Sequence, residues 1–494
     1  MIQFPAYIMM QDSMFQHKGT RWNGWIVLTT LLAFGLRLIW LGRPSLWYDE
    51  AFSQVVAQVD WPTFWSALLA DAVHPPGYYL LLRGAVRLWG DSEFGLRWPS
   101  VLAGTLAVPL LGRLGRILGS QGWGLAAGLW LALSPFAIWY AQEARMYSLL
   151  LCLTLGSAYA FWRLLKQPNW KRWGGVAAIS AISFTIHYFA FIFSLVQFAY
   201  LALNLRRTHQ ALRWWALAQV VAVIPFLPWA WVVARREGGY FGIGWIQPVT
   251  PRDLLVTVSN LAFTLGDPRS IWTWLGLVVM VGVVIAGALT LRASAARSFL
   301  LLWLWLPLLF IWFISLWLPL YVDRYFIICL PALLLLSSAL TLSPLKIAYG
   351  TIIGLLLLTG IASAHIWREL IWVKEDWRSA ASLIQQHEQP GDALVMREFQ
   401  NVIPFNYYYR GSLTAQIVEI NRQVTPLEAL LTGRKRLWLV YRRPFASTHG
   451  LAGSQPFTWQ DDEQPLLRAW LLAHEAQLLQ TITLPGVYVV LYEL

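Results

Sequence analysis

Apolar residues run through this chain in long stretches broken by short charged or aromatic segments. The first stretch extends from about 25 to 41, and ten more follow at roughly 95–112, 122–140, 146–165, 173–186, 188–205, 214–233, 272–291, 298–318, 325–342 and 347–366. Stretches of this length predict about eleven transmembrane helices. Between the first and second lies a loop, 42–94, in which residues 54–90 read as two helices lying along the membrane surface. His74-Pro75-Pro76-Gly77-Tyr78-Tyr79 through Trp89 is apolar enough to count as a short span. Arg83 and Arg87 suit an interfacial helix better, and counting a span there would flip every later loop.

Beyond 366 the pattern changes: charge rises and turn formers such as Pro390-Gly391-Asp392 enter. Apolar runs at 393–396, 437–441 and 487–492 predict strands, and helical patterns near 378–388 and 465–480 separate them. Residues 367–494 therefore read as a small extracytoplasmic α/β domain with a mostly parallel sheet.

Composition agrees with a polytopic α-helical membrane protein, since 57% of the residues are hydrophobic and only 13% charged, which excludes an ordinary soluble domain of this length. Cys152 and Cys329 both lie in apolar runs, so neither a disulfide framework nor a thiolate metal site is expected. Residues 1–21 are polar and mixed, unlike a cleavable signal peptide, and the first apolar run is expected to remain as a helix.

Charge then orients the spans. Basic residues cluster in alternate loops: Arg113 and Arg116; Arg163, Lys166, Lys171 and Arg172; Arg206, Arg207 and Arg213; Arg292 and Arg297; then Lys346. Between 95 and 366 the acidic residues Glu143, Glu237, Asp253, Asp267 and Asp323 all fall in the opposite loops. By the positive-inside rule the N-terminus is cytoplasmic, while Asp49-Glu50, the loop around Glu143 and residues 367–494 lie outside a bacterial inner membrane. The net charge of +12 follows from this bias and implies no nucleic-acid partner.

Ionisable residues at a membrane face call for a function, and Leu46-Trp47-Tyr48-Asp49-Glu50-Ala51-Phe52-Ser53 carries two in a row. Asp49 can take a proton from a hydroxyl arriving from the aqueous side; the competing structural reading makes it a helix cap. Adjacent residues point in different directions, so Glu50 is expected to orient Asp49 or a nearby basic group. Glu143, a second catalytic candidate, can bind the acceptor, position the nucleophile or hold a divalent ion; the competing structural reading is an ordinary salt bridge to Arg145 or another loop arginine. Arg145 and Arg324 each open a span just after an outer loop, where a guanidinium fork can hold a lipid phosphate or simply snorkel to the interface. Tyr147 and Tyr325 can add hydrogen bonds to phosphate or sugar, or serve as interfacial anchors.

These motifs, with Arg97-Trp98-Pro99-Ser100 and Gln142-Glu143-Ala144-Arg145-Met146-Tyr147 between them, resemble bacterial glycosyltransferases related to protein O-mannosyltransferases and lipid A aminoarabinose transferases. The resemblance covers about 25–345, and His187-Tyr188, Arg324-Tyr325 and Asp376-Trp377-Arg378 extend it. It implies a GT-C fold, a polyprenyl-phosphate sugar as donor and the first acid of the pair, Asp49, as base. The acceptor is then a protein, lipid or glycan hydroxyl, with His74, Tyr79 and His187 on the acceptor or sugar side. A divalent cation is left open, because two histidines without His-Glu-x-x-His spacing specify no metal site.

Arg37 and Arg97 are expected to pair structurally, with Asp49 or Glu50 as partners, or to snorkel. Arg235, Arg236, Arg252 and Arg269 are further arginines on the outer side, and Gly238-Gly239-Tyr240-Phe241-Gly242 reads as a mobile flap or an interfacial loop. No P-loop or dinucleotide fingerprint occurs, which favours a lipid-linked donor over a nucleotide sugar. A transporter or flippase of lipid-linked sugars is the alternative; its ionisable groups would be expected near mid-membrane and its halves repeated.

Overall fold

The computed structural model describes residues 19–235, 246–263, 271–291, 294–344, 346–420, 423–424, 427–442 and 465–494. The glycine-aromatic run 238–242, Arg236 and Arg269 lie outside the described residues. Helix α1 (Gly19–Leu38) leads into three helices, α2 (Tyr48–Gln58), α3 (Trp61–Asp71) and α4 (Gly77–Trp89). Two complete helices, α3 and α4, fall within 54–90. The Asp60 carboxylate accepts from the Thr63 N–H to start α3, while Ala72 ends it in a left-handed conformation (φ 49°).

The helical body continues through α5 (Glu93–Leu118), α6 (Gln121–Leu133), α7 (Pro135–Ala141), α8 (Tyr147–Lys166), α9 (Trp170–Ile186) and α10 (Phe189–Leu203). Then come α11 (Leu205–Val223), α12 (Leu227–Ala234), α13 (Pro251–Phe263), α14 (Ile271–Thr290) and α15 (Ala295–Ile314). A 3₁₀ segment, Asp323–Cys329, precedes α16 (Leu330–Ser338), and α17 (Lys346–Val373) closes the body. Side-chain caps at Ser92, Ser120, Asn169 and Ser294 start α5, α6, α9 and α15.

Five helical segments among the described residues are long and apolar enough to cross a membrane: Glu93–Leu118, Tyr147–Lys166, Leu205–Ala234, Ala295–Ile314 and Asp323–Leu342. A sixth is bent by 57° between α6 and α7, and four more apolar helices are shorter. The bend has a local cause. Pro135 lacks the N–H that the Leu131 carbonyl would accept from, and Arg37 replaces it by donating to the Leu131 and Ala132 oxygens at 3.2 and 3.3 Å. Arg37 therefore serves the helix break, not the acidic pair. Close packing of α5 on α6 depends on glycine: a methyl at Gly115 would come within 2.6 Å of the Gly124 Cα.

The C-terminal domain begins with α18 (Trp377–His387), started by Asp376, whose carboxylate accepts from the Ser379 N–H at 3.0 Å. It continues as β1 (Asp392–Glu398), α19 (Phe399–Tyr408), β2 (Ala415–Ile420), β3 (Gln423–Val424), α20 (Leu427–Leu431), β4 (Arg436–Arg442), α21 (Pro465–Ala473), β5 (Gln477–Leu484) and β6 (Val487–Glu493). The sheet order is β3-β2-β1-β4-β6-β5.

Only β2–β1 and β1–β4 pair in parallel, with Val395 opposite Leu439; the other three pairings are antiparallel. The expectation of a mostly parallel sheet is thus corrected to a mixed one, because the tight Pro485-Gly486 turn makes β5 and β6 a hairpin. Alternation along the strands supplies two cores. Leu394, Met396, Trp438 and Val440 pack with Trp377 and Ile384 of α18, while Val395, Leu437, Leu439 and Val490 pack with Leu431 and Leu471.

The domain rests on the 42–94 segment. Tyr408 accepts from the Leu46 N–H and donates to Glu93, each at 2.8 Å, and Tyr407 donates to the Asp91 carbonyl at 2.8 Å. Arg378 pairs with Glu93 and donates to the Arg43 carbonyl at 3.0 Å.

Candidate active site

The first turn of α2 sends its two acids into different surroundings. Glu50 is fully buried, and Arg97 of α5 grips it with Nε–Oε1 2.8 Å and Nη2–Oε2 2.9 Å. Three carbonyls, of Leu41, Pro44 and Ser45, take the remaining Arg97 donors at 2.6 to 3.2 Å. The Ala144 N–H donates to Glu50 at 2.8 Å, and the Lys374 ammonium lies 3.3 Å away. Burial alone would raise the Glu50 carboxyl; the charges of Arg97 and Lys374 outweigh it and hold the group below the usual carboxylate range.

Asp49 keeps 19% of its side chain exposed, and its Oδ2 stands 3.8 Å from both Arg145 Nε and Arg324 Nη2. These separations are ion pairs, longer than hydrogen bonds. Arg145 is fixed otherwise by Ser53 Oγ at 3.1 Å and Tyr79 OH at 3.3 Å. Arg324 lies 5.7 to 5.9 Å from the ring centres of Trp47, Tyr147 and Tyr325.

His74, His187, Tyr147 and Tyr325 complete the group. The two imidazoles are 5.0 Å apart, and Tyr325 lies 5.9 Å from His74 and 5.0 Å from His187. Burial and the guanidiniums of Arg145 and Arg324 hold His74 well below its ordinary value, so it is neutral. His74 Nδ1, His187 Nε2 and the Tyr147 hydroxyl are buried without a hydrogen-bond partner, leaving neutral donors and acceptors beside two cations.

Glu143 sits differently from the salt bridge to Arg145 considered above. Its Oε1 accepts from Trp139 Nε1 at 2.9 Å and lies 3.8 Å from Lys374, while Arg145 faces Asp49. Burial pushes the Glu143 carboxyl up to about 7, against the pull of Lys374. Among the described residues no group of three or more His, Cys, Asp or Glu side chains is placed to hold a metal ion. Arg235 and Arg252 stand over Trp231 and Trp274, away from this group.

The structure thus gathers Asp49, Glu50, Glu143, Arg145, Arg324, Tyr147, Tyr325, His74, Tyr79 and His187 into one region. Sequence reasoning missed Lys374. Its signal was a lysine beside an acid, Lys374-Glu375, a few positions past the last apolar run.

Residues 73–231 match the family described as dolichyl-phosphate-mannose-protein mannosyltransferase. The undecaprenyl phosphate-alpha-4-amino-4-deoxy-L-arabinose arabinosyl transferase of Pseudomonas aeruginosa (strain UCBPP-PA14) is 28% identical over 59% of this chain and 55% of its own length. The enzyme of the same name from Yersinia pestis (strain Pestoides F) is 24% identical over 58% and 52%. ArnT from Cupriavidus metallidurans in the apo state shares the fold with a TM-score of 0.62 at 16% identity, covering 95% of this chain and 98% of that one.

The chain is thus similar in sequence to these mannosyltransferases and arabinosyltransferases and shares the fold of ArnT. ArnT bound to undecaprenyl phosphate superposes at a TM-score of 0.57 with 14% identity, again over 95% and 98% of the two chains. The chain spans about half the length of the curated relatives it matches. The acidic pair on α2, the loop between α7 and α8 and the 3₁₀ segment before α16 meet at the candidate site.

Proposed function

We propose that this protein moves a sugar from a polyprenyl-phosphate donor to an acceptor hydroxyl at the outer face of the membrane. The observation that carries the reading is Asp49: a partly exposed carboxylate with two guanidiniums at 3.8 Å, neither closed onto it as a hydrogen bond. Two guanidiniums this close together suit a lipid phosphate, and the exposed edge of Asp49 suits an acceptor hydroxyl. In the reaction the acceptor oxygen attacks the anomeric carbon and its proton passes to Asp49. The bond from that carbon to the phosphate oxygen breaks, and its electron pair leaves on the polyprenyl phosphate, stabilised by the two arginines. Direct displacement inverts the anomeric centre. Tyr147, Tyr325, His74 and His187 line the sugar and acceptor side, Tyr79 orients Arg145, and Glu50 holds the geometry behind Asp49.

The outer-face assignment is supported by the loop charges, with basic clusters on one side and acids on the other. A lipid-linked donor fits because the site stands beside spanning helices, where a prenyl chain can enter laterally. Purified protein incubated with a panel of polyprenyl-phosphate sugars is expected to consume one of them and release polyprenyl phosphate. Movement of an intact lipid-linked sugar across vesicles with no consumption would favour the flippase reading instead.

A further inference from the structure

Lys374 belongs neither to a spanning helix of known partners nor to the sheet; it lies at the junction between α17 and the C-terminal domain. Its side chain is 5% exposed, and its ammonium lies 3.3 Å from Glu50, 3.8 Å from Glu143 and 3.5 Å from the Gln142 carbonyl. It therefore ties α2, which carries Asp49, to the 142–146 loop, which carries Arg145.

The residues that follow are clamped by the far end of the domain. The Asp376 N–H donates to the Pro485 carbonyl at 2.8 Å, and Arg442 of β4 lies 3.5 Å from the buried Glu375 carboxylate. Gly486, in the β5–β6 turn with φ 64°, packs so closely that an added Cβ would stand 2.9 Å from the Glu375 Cα. Ser45 completes the clamp from the other side, donating to Asp376 at 3.3 Å and accepting from the Arg378 N–H at 3.3 Å.

We propose that Lys374 is a positioning residue that the C-terminal domain delivers into the active centre, its ammonium holding the Arg145 loop against the Asp49 helix. The β5–β6 turn fixes the backbone at 375–376, and the turn thereby sets where Lys374 reaches. The domain is then part of the donor site, not an appendage to it. This inference rests on the reading of Arg145 as a phosphate ligand.

The groups facing Glu143 are Lys374 from the junction, Asp49 and Glu50 from α2, Arg324 from the 3₁₀ segment and the Trp139 indole from α7. With Glu143 titrating at about 7, the Lys374–Glu143 pair is intact above that pH and lost below it. Without the Lys374 charge, which lowers it, the carboxyl is pushed further up.

The test is binding of undecaprenyl phosphate to the full-length protein at pH 6 and pH 8. Lys374→Met is expected to weaken binding at pH 8 by about tenfold, the loss matching one charge-assisted contact. It should also show a smaller change between the two pH values than the wild type; ionisation of the lipid phosphate is common to both and cancels. Lys374→Arg should restore part of the loss. Gly486→Val should reproduce the Lys374→Met behaviour, whereas Gly433→Ala, at another positive-φ glycine of the domain with open space around it (φ 77°), should not.

Wild-type affinity and pH response in Lys374→Met would overturn the inference. So would loss of binding in Lys374→Met with an unchanged pH difference, which marks a general loss of folding. A wild-type response in Gly486→Val would overturn delivery by the domain. If the wild type itself binds no undecaprenyl phosphate, or Arg145→Gln binds it as well as wild type, the phosphate reading fails and this inference with it.

Discussion

Glu50 and Asp49 are neighbours on one helical turn, yet they are treated in opposite ways. Glu50 has no exposed side-chain surface and four close contacts at 2.8 to 3.3 Å from three residues; Asp49 is 19% exposed and has its cations at 3.8 Å. A carboxylate saturated by buried donors is structural, since any ligand would have to displace them. One held 3.8 Å from two guanidiniums keeps its own lone pairs for an incoming group. On the function proposed above, Glu50 is a fastening and Asp49 the group that would take the proton, although the residue types are alike.

The sharpest way to break that comparison is to neutralise each acid in turn. Asp49→Asn is expected to lower transfer by about 10²–10⁴-fold, as loss of a general base does, while undecaprenyl phosphate binds no more weakly than to the wild type. Retained transfer in purified membranes would remove Asp49 from the base role. Glu50→Gln should act on stability first. It leaves Arg97 and Lys374 buried without their carboxylate, a loss of about 3–5 kcal/mol read as a lower thermal midpoint in detergent. A melting curve equal to wild type would show that Glu50 is not the fastening its contacts suggest.

Both acids stood out in the sequence because charge next to an apolar run is costly, and Arg97 was within reach as a partner for the same reason. Lys374 was hidden because it meets Glu50 across 324 positions, a distance no local pattern encodes. The Ser134-Pro135 break was present as letters, but its meaning lies in Arg37, which takes up the carbonyls freed there. In the C-terminal domain, the helical pattern over 465–480 continues past the true helix end at Ala473 into β5. The stop falls at Glu475, left-handed at φ 55°, where no glycine or proline marks it. A β5 read as helix also removes the hairpin partner of β6, which is why the sheet looked mostly parallel.

On the Asp49 side the next test is the phosphate clamp. Arg324→Gln should weaken undecaprenyl phosphate binding by about ten- to a hundredfold, the range of one hydrogen-bonded charge, and leave the melting curve nearly unchanged. An unchanged affinity would reassign Arg324 to packing among Trp47, Tyr147 and Tyr325.

The smallest expected effect probes how Arg145 is held. Tyr79 is fully buried and its hydroxyl, 3.3 Å from Arg145 Nη1, supplies one of the few contacts that fix this guanidinium without occupying a carboxylate. Tyr79→Phe keeps the ring that packs edge-on to Phe52 at 6.2 Å and removes only the oxygen. A neutral hydrogen-bond partner is worth about 0.5–1.5 kcal/mol, so lipid phosphate binding should weaken by roughly two- to tenfold. Transfer at saturating donor should barely change, because the oxygen orients a binding group and touches no reacting atom. A fall in the maximal rate with donor affinity intact would place Tyr79 at the acceptor instead, and would shift the boundary between the fastening and the reacting half of the site.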